Sequence, residues 1–202
     1  MQERFKNLTK LSSEPAAKIL AAQNARLETQ LAAPASAPID EVLSELAEKD
    51  APVDMLRLLS AVLPPRERVW WACLAARDII GSGPENATPS LKAAEDWVFK
   101  PTEENRAAAV ASLDYAPVED DTVHCALSVM YADGTLGPGE LAQHPGPPGG
   151  SSVTAFAMNI EALGRKMELF DDYVEVLIDR ALDIARGGSG KIDVPVMEEA
   201  EE

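Results

Sequence analysis

Proline and glycine recur along this chain at intervals that fit one helix each, and between them the apolar residues repeat every three to four positions. Proline cannot donate to a sheet ladder, and no segment alternates polar and apolar residues long enough to demand a strand. The chain is therefore predicted to be all-α. Serine and an early proline open "SSEPAAKILAAQNARLETQLAA", which reads as one helix, and "APASAP" follows as a linker. "PIDEVLSELAEKD" sets Ile39, Val42, Leu43 and Leu46 on one stripe, and "APVDMLRLLSAVL" does the same with Val53, Leu56, Leu59 and Leu63. Pro64 and Pro65 end that helix and start "RERVWWACLAARDII".

Thr88, before Pro89, and Thr102, before Glu103 and Glu104, are expected N-caps of the next two helices. "DDTVHCALSVMYADG" begins with acids and stops at Gly134. "GTLGPGELAQHPGPPGG" is too rich in proline and glycine for an element; it is an ordered crossover or a flexible loop. Two helices close the chain, and Gly187 is placed to cap the last. The expected architecture is a compact, solenoid-like bundle of stacked helical hairpins, with about eight to nine helices. Residues 1–38 are expected to form an N-terminal helix and linker, and 39–187 the helical domain with its Pro/Gly loop at 134–150. An acidic disordered tail is expected over 188–202.

Trp70 and Trp71 are neighbours on one predicted helix, so their rings point about 100° apart. Val69, Cys73, Ala76 and Ile80 form one face with Trp70 at its edge, which makes Trp70 the expected core ring. Trp71 lies nearly opposite, among Glu67, Ala75 and Asp78. Either this helix is buried on two sides, the expected outcome, or Trp71 is a surface anchor of the kind that dominates interfaces. In the second case Trp71, Glu67 and Asp78 are the candidate partner-binding residues.

Charge narrows the partner. Eighteen basic side chains stand against 34 acidic ones, a net of −16. Nucleic acid and anionic membrane both require positive protein charge, which argues against them. The acidity suits a basic protein partner, or serves solubility alone. Cys73 and Cys125 stand apart with no paired spacing, as reduced buried thiols do. "MQERFKNLTKLSSEP" has no apolar core of a signal peptide, and no run of about 18 apolar residues occurs, so a cytoplasmic location without a transmembrane segment is expected.

No motif reaches a catalytic or metal-binding pattern. Asp120, His124 and Ser128 share a helix face in the order of a triad, but a mid-helix serine lacks free N–H groups for an oxyanion hole. A polar stripe with an Asp–His contact is the expected role. His124, Cys125 and His144 do not converge at zinc-ligand spacing. "ADGTLGPGE" offers Asp133, Thr135 and Glu140 to a calcium loop, yet only one aspartate fits and Gly137-Pro138 interrupts it. "GGSGK" lacks the first glycine and the Ser or Thr of a phosphate-binding loop, and reads as a cap and linker. The pairs Glu103–Glu104, Asp120–Asp121 and Asp171–Asp172 sit near helix starts, where the helix dipole accounts for them. No enzyme activity and no cofactor are expected.

"LPPRERVWWACLAAR", "DWVFKPTEENRAAA", "HPGPPGG" and "ALDIARGG" occur here in that order. In them the chain resembles an uncharacterised proteobacterial, all-helical family with a WWAC helix and a W…P(S/T)EENR step. The resemblance spans roughly residues 60 to 187 and departs from the family at "MYADGTLGP". The family is associated with type VI secretion loci, which implies a non-catalytic adaptor or accessory role. The same texture is more distantly similar to helical immunity proteins that neutralise toxins, a second possible function. An enzyme using Asp120, His124 or the paired acids is the third.

Overall fold

In the computed structural model, which describes residues 2–194, local signals place most helix ends. The helices are α1 Ala16–Ala22, α2 Ile39–Glu48, α3 Pro52–Val62, α4 Pro65–Ile80 and α5 Pro89–Phe99. They continue with α6 Glu103–Leu113, α7 Val123–Met130, α8 Gly150–Gly164 and α9 Phe170–Arg186. Proline opens α3, α4 and α5 in the first turn, where its missing N–H is harmless. The Thr88 hydroxyl accepts the Leu91 N–H at 3.2 Å and that of Thr102 accepts the Asn105 N–H at 3.3 Å, so both predicted caps form. Gly187, at φ 98°, ends α9 in the left-handed conformation. Among the described residues there is no strand, only an isolated bridge between Thr135 and Pro145.

The first predicted helix is much shorter than its composition suggests. It stops after Ala22, and Asn24 takes a left-handed conformation at φ 51°. Beyond it, backbone N–H groups bond to acids from elsewhere instead of to their own helix. Those of Glu28 and Thr29 donate to Asp54 Oδ2 at 2.8 and 2.7 Å, and those of Ala32 and Ala33 donate to the Glu45 carboxylate at 2.5 and 2.8 Å. Residues 25–37 therefore run along α2 and α3 as a pinned arm, not a free linker.

Successive helices from α4 to α8 pack as hairpin neighbours, α4 on α5, α5 on α6, α6 on α7 and α7 on α8. The stack then closes, because α4 also packs on α8 and α9, and α3 packs on the same two helices. Leu56, Leu59, Trp71, Leu91, Met158 and Leu177 are fully buried at this centre. The N-terminal segment joins the same core: Phe5 is buried, and the Lys10 N–H donates to the Ala185 carbonyl at 2.9 Å.

The Pro/Gly segment 134–150 is an ordered crossover. Leu136 N–H donates to the His144 carbonyl at 3.0 Å, Gly146 N–H to that of Gly134 at 2.8 Å, and a 3-10 turn spans Gly139–Gln143. Gly149 ends it at φ 72°, where a Cβ would lie 2.0 Å from the Gln23 carbonyl oxygen. Only glycine fits that approach. The start of the expected tail is likewise docked. Gly190 N–H donates to Asp183 Oδ2 at 2.8 Å, and a Cβ on Gly190 would come within 2.7 Å of Ile184. The remainder of that tail, residues 195–202, lies outside the described residues. No helix among the described residues is long and apolar enough to cross a membrane.

Candidate functional site

Glu67, Trp71 and Asp78 lie on one face of α4, as their spacing requires. That face meets the chain's own last helix. Trp71 is completely buried, and its Nε1–H donates to the Leu177 carbonyl of α9 at 2.9 Å. Asp78 accepts the Tyr173 hydroxyl at 2.7 Å and pairs through both oxygens with Arg180, itself bonded to the Ile192 carbonyl at 2.7 Å. Burial, and then the neighbouring Asp78 charge, pushes the Tyr173 hydroxyl well above the usual phenol range. Glu67 accepts Lys10 Nζ from the N-terminal segment at 2.6 Å.

The two-sided burial expected of α4 is thus present, and the anchor reading of Trp71 is corrected. Trp71 is wholly covered by α9, Asp78 is paired with Arg180 of α9, and Glu67, partly exposed, is paired with Lys10, so the three do not form a free surface together. The expected order of the rings is also reversed. Trp70, predicted to be the core ring, is the partly exposed one: it donates Nε1–H to the Ser189 carbonyl at 2.7 Å and lies 6.3 Å from the exposed Phe99 ring. With Lys10, Arg66 and Glu67 these rings border a cavity of about 220 Å³.

On its other sides α4 carries two arginines with different solutions to burial. Arg68 is buried without a carboxylate, and donates to the carbonyls of Ser60, Ala61 and Leu63 at 2.6, 3.1 and 2.7 Å. These close the C-terminal end of α3, where the helix dipole favours a cation. Burial still draws the guanidinium down to about 10. Arg77 instead forms a bidentate pair with Glu95 of α5 at 2.8 and 2.7 Å. Cys73 and Cys125 are free buried thiols, and burial pushes the Cys73 thiol far up, away from reactivity.

Another buried charge, marked by no motif in the sequence, lies on α6. Arg106, from "EENR", is 2% exposed and donates to Asp133 at 2.5 and 2.6 Å, to the Met130 carbonyl at 2.6 Å and to Thr135 Oγ1 at 2.8 Å. Burial opposes the Asp133 charge, but the Thr135 hydroxyl and N–H together with Arg106 outweigh it and hold the carboxyl below its usual range. The calcium-loop candidates Asp133 and Thr135 therefore clamp the crossover to α6. The local signal was an arginine on the one face of α6 that buries anything.

The triad candidates are not brought together as a catalytic set. Asp120 Oδ1 accepts the Thr122 N–H and hydroxyl at 3.0 and 2.6 Å, while Ser128 is buried and hydrogen-bonds to Ser151. The expected Asp–His contact makes no hydrogen bond: Asp120 Oδ2 and His124 Nδ1 both lack partners among the described residues. Asp121 pairs with Arg165 at 2.7 Å, and Asp171–Asp172 and Glu103–Glu104 occupy first turns of their helices. No group of three or more His, Cys, Asp or Glu converges as a metal-binding set among the described residues.

A family profile described as "Family of unknown function (DUF6931)" matches residues 42–185, from α2 to the last turn of α9. The chain belongs to this family. The matched span contains every contact between the Trp71 face and Tyr173, Leu177 and Arg180. It also contains the Arg106–Asp133 clamp and the whole Pro/Gly crossover. No curated protein and no solved structure was found to match the chain.

Proposed function

We propose that this protein is a non-catalytic adaptor or accessory subunit of a bacterial secretion system of the type VI kind, acting by binding another protein through a basic surface on that partner. The observation that carries the reading is an acidic exterior, net −16 over the chain, on which large apolar side chains remain in water. Tyr115 and Val118 are 86% and 99% exposed and are flanked by acids. Solvent-facing apolar groups within one charge sign suit a partner of opposite sign. The WWAC helix and the EENR step, which carry the resemblance to a family associated with type VI loci, both support the interior that holds this exterior in place. The test is purification of the tagged chain from cells carrying a complete secretion locus. Recovery of a stoichiometric subunit supports the reading; a monodisperse chain with no such subunit removes it.

The acidity also suits a second reading, an immunity protein that masks a basic toxin. Co-expression with a toxin encoded beside the chain separates the two: an immunity protein restores growth, and an adaptor does not.

A further inference from the structure

We infer that the α6–α7 connection, residues 114–122, and the groove beside it form the docking surface, and that its occupant is a basic segment of a partner protein bearing an apolar anchor. This rests on the interaction reading above and names its surface.

The connection presents Tyr115 and Val118 almost wholly to water. It is not loose. Asp120 N–H donates to the Pro117 carbonyl at 3.0 Å, Asp120 Oδ1 caps Thr122, and the Thr122 hydroxyl bonds to that of Thr88 at the start of α5. A surface held in this way loses little conformational freedom on binding. Beside it, Ile79 and Ile80 at the end of α4, with Pro89 and Pro117, line a groove of about 360 Å³. An aliphatic side chain can enter such a space.

Charge selects the occupant. Between Leu113 and Val123 the chain carries Asp114, Glu119, Asp120 and Asp121, and no Lys, Arg or His. The groove wall already receives a guanidinium: Arg165 Nη2 donates to Asp121 Oδ2 at 2.7 Å while its side chain stays 60% exposed. Glu119, exposed on the same wall, offers a second carboxylate to a partner arginine. Two other clefts have a net positive lining, with one glutamate against two cations in each. Arg26 and Arg57 line the one between the N-terminal arm and α8, and Lys10 and Arg66 line the one by Trp70.

A titration of the labelled chain with a short synthetic peptide of alternating leucine and arginine, followed by amide NMR, tests this. Saturating shifts are expected at residues 114–122 and at Ile79 and Ile80. Affinity should fall about tenfold in Tyr115→Ser/Val118→Ser, and by a similar factor in Glu119→Lys/Asp121→Lys. A peptide with glutamate in place of arginine should not bind there; equal binding of it would overturn the charge argument. Shifts centred elsewhere, or unchanged affinity in both variants, would overturn this surface and leave the interaction reading standing. No saturable binding anywhere would remove the basic-partner reading itself.

Discussion

The Trp71 face of α4 and the α6–α7 connection are written alike: an aromatic ring among carboxylates. They end in opposite environments. Trp71 is covered by α9, which supplies a carbonyl at Leu177 for the indole N–H and a tyrosine and an arginine for Asp78. Tyr115 has no such complement and stays 86% exposed. What separates them is not the local residues but whether another part of the chain carries matching groups at matching spacing. Tyr173, Leu177 and Arg180 recur at helical intervals opposite the α4 face. Opposite the connection, Thr88 and Arg165 bond to Thr122 and Asp121, and nothing among the described residues covers Tyr115 or Val118. An internal partner consumes the first surface, and the second is left for an external one.

The largest effects should come from breaking the covered side. Trp71→Ala removes a fully buried ring and its hydrogen bond, and is expected to cost about 3–5 kcal/mol in urea unfolding. Trp71→Phe keeps most of the volume and should cost about 1–2 kcal/mol. Asp78→Ala strips Arg180 of its counter-charge in a site where the two side chains are 10% and 5% exposed, and should cost about 3 kcal/mol. The double variant Asp78→Leu/Arg180→Met should recover much of that loss, because the penalty is an unpaired buried charge. A loss in the double variant as large as the sum of the single ones would mean that the pair does more than neutralise itself.

The same contrast explains how much was legible beforehand. Helix positions at 39–186 followed local signals, and caps such as Thr88 and Thr102 act within a few residues of where they are written. Adjacent tryptophans imply a helix buried on two sides, as α4 is, and helical spacing sets Glu67, Trp71 and Asp78 on one face. Whether that face met the chain itself or a partner depended on α9, about a hundred positions away, which no helical wheel includes. The arm after Ala22 failed for the same reason. Its residues favour helix, but Glu45 and Asp54 compete for its N–H groups from other elements. Arg106 and Asp133 likewise become a pair only once α6 and the crossover meet.

The arm offers an intermediate case, held by an internal partner yet near the surface. Hydrogen bonds from the Ala32 N–H, from Lys49 and from the Ala33 N–H draw the Glu45 carboxyl from 4.5 down to about 2. A depressed carboxyl stabilises the fold fully above its unfolded value, so the clamp should be intact above about pH 4.5 and weaken as pH falls toward 2. Protection of the Ala32 and Ala33 amides from exchange should fall over that window, while that of buried α4 amides such as Ala72 persists. In Glu45→Gln the window should vanish, with weak protection at every pH. Equal loss at both places would show that the arm and the core open as one unit.

The smallest effect belongs to the uncovered side. Tyr115→Ser/Val118→Ser changes two large apolar groups, a substitution that in the core would unfold many domains. Here both side chains already lie in water, and the backbone turns around them are held by Asp120, Thr122 and Thr88. The double variant should therefore stay within about 0.5 kcal/mol of the parent chain in urea unfolding. The sign is informative as well. If removing these two side chains leaves stability unchanged or raises it slightly, they contribute nothing to folding, and their retention in water needs a reason outside the chain. A loss of about 2 kcal/mol or more would instead mean that Tyr115 and Val118 pack in solution as core residues do. The connection would then be another covered surface like the Trp71 face, and the difference between the two regions would disappear.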